Sequence, residues 1–231
     1  MLVSHINKFI FLKTIKTGGT SVEIFFEEFS VFEPKTYSVG EEWTKSVETS
    51  AGIVGARGPS IHSQSKITYF NHIPAKSLKS KIGDDIWNAY FKFSIVRNPY
   101  DELVSRFWFY MGPKRRLLLA NSEASTIHSH FREWVMTQKN LNSPIYLIRD
   151  QLAVDYLIRY ESLREGVEKV CSILGLTKNI SELGSFKGNF RPKDKKIGGF
   201  RDYFDLNSIN HVKANFAWEI ETFGYDLNDC E

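Results

Sequence analysis

The sequence predicts an α/β fold, with a central parallel sheet and helices on both faces, in three layers. Three strand-then-helix units carry this expectation. Phe9-Ile10-Phe11-Leu12 precedes an amphipathic run with Val22, Phe25, Phe26 and Phe29 at helical spacing. Asn88 to Val96 precedes a run with Tyr100, Leu103, Val104, Phe107 and Trp108 on one face. Asp155 to Tyr160 precedes Glu161 to Leu174, with Leu163, Val167, Val170, Cys171 and Leu174 inward and Gly175 closing the helix. The chain has 231 residues, 42% hydrophobic and 25% charged, which suits one domain over 1–231 with a sizeable core.

The first unit holds the most informative stretch. Between strand and helix lies Lys16-Thr17-Gly18-Gly19-Thr20-Ser21. Two glycines let the backbone turn sharply and approach a ligand. The N–H groups and dipole at the helix start favour an anion. Lys16 adds positive charge, and Thr20 and Ser21 are candidates to cap the helix and to donate hydroxyls. The nucleotide-triphosphatase loop, GxxxxGK[ST], places its lysine after the last glycine. Here Lys16 precedes both.

In the second unit, Arg97-Asn98-Pro99 follows the strand, and Pro99 suits the first turn of a helix. Arg97 leaves the carboxyl end of a strand, where open α/β sheets bind ligands. Its planar fork matches phosphate. Ser105 lies eight residues on, about two turns into the helix.

The lysine-first KTGGTS resembles the 5′-phosphosulfate loop of sulfotransferases that use 3′-phosphoadenosine-5′-phosphosulfate. RNPYDELVS resembles their 3′-phosphate signature, with Arg97 and Ser105 as the matching ligands. Tyr160, followed by Glu161, is similar to the aromatic residue that contacts adenine; a core tyrosine with a satisfied hydroxyl is the other reading. Phe186 to Phe204 resembles the lysine-glycine loop over the 3′-phosphate. Its candidates are Lys195, Lys196, Gly198 and Arg201, with Lys196 and Gly198 carried forward. The likeness is greatest to the carbohydrate and small bacterial branch.

The resemblance implies a P-loop-like three-layer fold and a transferase that moves a sulfuryl group to an acceptor hydroxyl without a metal. Lys16 stabilises the leaving phosphate, and the backbone of Gly18, Gly19 and Thr20 holds it. In the carbohydrate 2-O-sulfotransferase branch a histidine precedes the 3′-phosphate strand, and His72 occupies a similar place. A histidine titrating near neutrality suits a base; His62, Glu41 and Glu42 are rivals. The alternatives are a P-loop nucleotide kinase and a non-catalytic nucleotide-binding module.

Residues 30–70 read as an irregular insertion, either lining the acceptor site or simply covering the surface. Trp43, Arg57 and His62 are its candidates for touching a substrate. Pro74 to Ile82 reads as a short helix capped by Gly83. Lys114, Arg115 and Arg116 read as a loop, either a solvated face or an attractor of an anionic acceptor. Thr126 to Gln138 reads as a helix, and another is expected near Asn207 to Phe223. Net charge of +3 is too balanced to imply nucleic acid as a partner. Two cysteines exclude a disulfide scaffold and show no metal-binding spacing. No signal peptide precedes the first strand and no run approaches bilayer length, so the expectation is a cytoplasmic protein with no membrane span. The partner expected is a carbohydrate or small-molecule acceptor.

Overall fold

A computed structural model describes residues 1–32, 45–58, 67–186, 190–192 and 198–228. Its contacts divide the chain into two compact units, Met1–Val96 with Leu141–Lys187, and Arg97–Asn140 with Gly188–Glu231.

The first unit is a mixed α/β structure. In chain order it holds β1 (Leu2–Ser4), β2 (Phe9–Leu12), α1 (Gly19–Glu27), β3 (Val47–Thr49) and β4 (Gly52–Val54), then α2 (Ala75–Ile82), α3 (Asp84–Ala89) and β5 (Phe91–Val96). Among the described residues six strands form one sheet in the order β3-β4-β1-β2-β5-β8, where β8 is Tyr156–Arg159. The expected parallel core is present as β2-β5-β8, with Phe11 beside Phe93 and Ile95 beside Ile158. The rest departs from a parallel sheet, because β1 is antiparallel to both β2 and β4, and β3 to β4. Connection length explains the β1–β2 and β3–β4 pairs: the turn from Ser4 to Phe9 and the turn at Ser50-Ala51 suit hairpins, whereas parallel neighbours need a long crossover.

β3 and β4 also correct the irregular insertion expected over 30–70, since residues 47–54 are paired sheet. Residues 33–44 and 59–66 of that segment, with Glu41, Glu42, Trp43 and His62, lie outside the described residues. The strand expected from Asn88 starts at Phe91, because Asn88 and Ala89 finish α3. The helix expected after Pro74 is α2, closed by Gly83.

Period-two patterning sets the core of this unit. Phe9 and Phe11 of β2, Phe93 and Ile95 of β5 and Ile158 of β8 bury one face of the sheet. Against it pack Val22, Phe25 and Phe26 of α1, and Val167, Val170 and Cys171 of α8 (Leu163–Leu174). Phe93 stacks on Phe11 at 5.1 Å and meets Phe26 edge-on at 5.2 Å. Ile10 and Leu12, which alternate with that face, are fully buried as well. Between β5 and β8 in the chain, α7 (Ser143–Tyr146) anchors itself through buried Ile145 and Tyr146, and β6 (Leu147–Ile148) pairs with β7 (Gln151–Leu152). Arg149 and Asp150 between them both have positive φ, the requirement of a two-residue hairpin turn.

The second unit is helical among its described residues. It comprises α4 (Pro99–Tyr110), α5 (Pro113–Ala120), α6 (Ala124–Val135), α9 (Leu206–Asn215) and α10 (Ala217–Phe223). Tyr100, Leu103, Val104, Phe107 and Trp108 of α4 bury against Ile127, Phe131 and Val135 of α6, with Phe200, Tyr203, Phe204, Val212 and Phe216. Trp108 Nε1 donates to the Tyr203 hydroxyl at 3.0 Å, so the largest buried side chain keeps a polar partner. Two expectations change here. Lys114, Arg115 and Arg116 lie in α5, which Pro113 opens from the first-turn position. Arg116 donates to the Trp108 and Phe109 carbonyls, satisfying the end of α4. The single last helix is two, broken at Phe216. No helix among the described residues is long and apolar enough to cross a membrane.

Candidate functional site

The site is built where β2 ends and α1 begins. Leu12 passes to Lys13, and the chain turns through Ile15, Lys16 and Thr17 to Gly18. Two residues of this loop are left-handed, Lys16 at φ 58° and Gly18 at φ 75°. A left-handed lysine is strained and needs its surroundings to hold it. Gly18 is the N-cap of α1, and no side chain caps the helix. The expectation that Thr20 or Ser21 caps it is therefore corrected; both sit inside the first turn, and Ser21 Oγ accepts from Phe186 N at 3.2 Å. The first turn of α1 has no acidic residue. Of its leading N–H groups, Ser21 N donates to the Gly18 carbonyl at 2.9 Å, a bond that tightens the turn without a side-chain cap.

Space is tight at both glycines. A Cβ on Gly18 would lie 3.1 Å from Leu163 and 3.2 Å from the Tyr160 ring, in a conformation that already disfavours side chains. A Cβ on Gly19 would lie 2.8 Å from Lys13 Cγ. Tyr160, the first residue after β8, thus forms a wall of the loop.

Several ties hold the loop to its unit. The Ile95 carbonyl only accepts, so Thr14 Oγ1 donates to it at 2.7 Å. Thr17 Oγ1 must then donate to Thr14 Oγ1 at 2.6 Å. The Thr17 hydroxyl is thereby committed to the loop itself. Asn142 accepts from Ile15 N at 2.7 Å and donates to the Ile15 carbonyl at 3.0 Å. His72 Nδ1 lies 2.9 Å from the Lys13 carbonyl. A carbonyl cannot donate, so Nδ1 carries the proton and the lone pair of the neutral ring is on Nε2. Burial, then the Lys13 charge, drives His72 down to about 3, against the hydrogen bond to Lys13. The imidazole is neutral at pH 7.

Beneath the loop is a buried ionic cluster. Lys13 Nζ is 2.6 Å from Glu23 Oε2, and Arg57 Nε is 3.1 Å from the same oxygen. Arg57 Nη2 also pairs with Glu27, and the α-amino group of Met1 lies 2.8 Å from Glu23 Oε1. Burial alone would raise the Glu23 pKa; Lys13, the α-amino group and Arg57 together hold it well below the usual carboxylate range. Arg57, expected to face a substrate, is a buried structural cation at 2% exposure.

One unit therefore contains the loop from Lys16 to Ser21 together with His72 and Tyr160. Arg97, Ser105 and Gly198 belong to the other unit. Arg97 follows β5 directly, and its Nε donates to Asp101 at 2.8 Å; Asp101 also pairs with Arg191 at 3.2 Å. Ser105 is half-buried in α4. Gly198 has φ 75°, and a Cβ there would meet the Asp202 carboxylate at 2.1 Å. Arg201 Nη2 donates to the Asn228 carbonyl at 2.7 Å. Lys195 and Lys196 lie outside the described residues. Lys13, Glu23 and Asn142 are parts of the loop's support that sequence reading missed. Only Lys13, a charge directly after a buried strand, carried a local signal.

No family model matches the chain. An uncharacterized protein of Archaeoglobus fulgidus is 28% identical to it over 114 residues, 47% of this chain and 87% of that protein.

Proposed function

We propose that this protein is a sulfotransferase with a P-loop-like three-layer fold. It moves a sulfuryl group from 3′-phosphoadenosine-5′-phosphosulfate to a hydroxyl of a carbohydrate or small molecule, in the cytoplasm. The observation that carries this reading is the loop before α1. It is a glycine cradle that a Cβ would fill, led by Lys16 and opening on a helix start with no cap and no acid of its own. Such a helix start favours an anion.

The sulfuryl donor supplies a sulfate–phosphate anhydride, open to in-line attack at sulfur. In this reading the N–H groups of Gly18, Gly19 and Thr20 hold its 5′-phosphate, while Lys16 neutralises the charge that builds at the leaving oxygen. Tyr160 offers a ring face to adenine, and Arg97 and Ser105 take the 3′-phosphate, with Arg97 sharing or leaving Asp101. Lys196 and Gly198 are assigned to the closing loop by resemblance alone. His72, neutral with its lone pair on Nε2, is in the state a base requires. Negative charge brought to the loop would raise its affinity for the proton.

One observation favours a second reading. A histidine held at about 3 is a weak base at neutral pH, as suits a nucleotide-binding module without turnover. Calorimetric titration with 3′-phosphoadenosine-5′-phosphate, ATP and AMP, with and without magnesium, tests the nucleotide. Magnesium-independent preference for the 3′-phosphorylated nucleotide, weakened in Arg97→Ala, is expected; preference for ATP with magnesium would replace the proposal with a kinase. Lys16→Ala then separates enzyme from module. An enzyme loses about 100- to 1,000-fold in turnover with a much smaller change in affinity, whereas a module changes in binding alone.

A further inference from the structure

Ile15 is held at both of its hydrogen-bonding groups by one side chain far away in the sequence. Asn142 Oδ1 accepts from Ile15 N at 2.7 Å, and Asn142 Nδ2 donates to the Ile15 carbonyl at 3.0 Å. The two bonds fix the orientation of the amide, since only one assignment of its oxygen and nitrogen satisfies both. Asn142 is 4% exposed, so water competes little for these bonds. Its own backbone is anchored, because Ile145 N donates to the Asn142 carbonyl at 2.8 Å and Ile145 and Tyr146 are buried.

The residue after the clamped peptide is Lys16, at φ 58°. A side chain in this region is held there by its neighbours and not by its own preference. On the far side the loop is held by the Thr17 and Thr14 hydroxyls, the chain ending on the Ile95 carbonyl. On the near side His72 holds the Lys13 carbonyl and Asn142 holds both polar groups of Ile15, the residue next to Lys16. We infer that Asn142 is the positioning residue of the loop: by clamping Ile15 at both polar groups it keeps Lys16 left-handed and thereby sets where the lysine charge stands relative to the start of α1. The functional consequence rests on the sulfotransferase reading of the loop; the clamp itself does not.

The experiment uses the full chain and two readouts. Hydrogen–deuterium exchange of peptides covering residues 13–22 reports the loop without any nucleotide. Titration with 3′-phosphoadenosine-5′-phosphate reports its function. In Asn142→Ala, loop amides are expected to exchange about tenfold faster, with α6 and α8 unchanged and nucleotide affinity falling by a similar factor. Asn142→Asp keeps the volume and the acceptor for Ile15 N but loses the donor. With a carboxylate oxygen set against the Ile15 carbonyl in place of the donor, it should also speed loop exchange locally, and it keeps the test decisive should alanine impair folding. Lys16→Gly, which tolerates positive φ, should shrink the effect of Asn142→Ala on exchange. Unchanged loop exchange, or acceleration spread evenly over the chain, would overturn the inference. Local acceleration in a protein whose wild type binds no such nucleotide would uphold the clamp and sink the sulfotransferase reading.

Discussion

Two strand-turn-helix junctions of this chain use opposite solutions to the same problem. At the start of α4, Asn98 accepts from Tyr100 N at 3.0 Å, Pro99 occupies the first turn, and Asp101 and Glu102 bring negative charge to the positive end of the helix. At the start of α1 the cap is Gly18 in a left-handed conformation, with no capping side chain and no acidic residue in the first turn. The α4 start is satisfied by its own sequence. The α1 start has no such device in its own first turn and is shaped by what surrounds it. Buried charge follows the same division. Glu102 pairs with Arg106 one turn on in the same helix, whereas Glu23 gathers Lys13, Arg57 and the α-amino group from separate segments.

The largest expected effect of breaking this contrast is at Glu23. Glu23→Ala strands buried cations and should cost about 3–5 kcal/mol in urea unfolding. Glu102, whose pKa burial raises despite Arg106, should cost only about 1–2 kcal/mol as Glu102→Gln. Equal losses would mean that the cross-element cluster confers nothing special on the loop.

Acid provides the next test. The folded protein holds His72 at about 3, against roughly 6.5 for an unfolded histidine. Between these values the unfolded chain binds the extra proton, so stability falls as pH drops from 6.5 toward 3, by up to about 1.4 kcal/mol per pH unit. Glu23 acts in the same sense lower down. Its depressed pKa contributes stability in full above about 4.3, and this is lost as pH falls further. His72→Asn, which suits the φ of 63° at this position, should flatten the curve between pH 6.5 and 4.5 and leave the lower limb. An unchanged curve would place the titration elsewhere.

Smaller effects separate the two caps. Gly18→Ala should cost about 1–2 kcal/mol through its backbone alone, and on the sulfotransferase proposal it should also weaken nucleotide binding by pressing on Tyr160. Asn98→Ala should cost about 1–2 kcal/mol, since it removes the cap and the bond from Nδ2 to the Asp226 carbonyl. Chemical denaturation of both variants beside wild type measures the difference.

What could be read in advance was what neighbours in sequence decide. β2, the Pro99 start of α4 and the Gly175 end of α8 follow from local pattern and local backbone preference. β1, β3 and β4 have three residues each and exist only because a partner strand accepts them, so no periodicity could announce them. The glycines and Lys16 stood out as a motif, and the loop they form is where they predicted it. The parts that hold it did not stand out. Asn142 is an ordinary polar residue until the fold brings it to Ile15, 127 positions away. Arg57 looked available for a substrate because nothing near it in sequence requires two buried carboxylates.

The order of the six-stranded sheet has one more consequence. Among the described residues its outer strands are β3, three residues long with Glu48 and Thr49 exposed, and β8, four residues long and ending on exposed Arg159. Short margins carrying charge are poor templates for a strand from another molecule. The hydrogen-bonding potential that makes open sheets prone to sticking to one another is thus kept small at both borders.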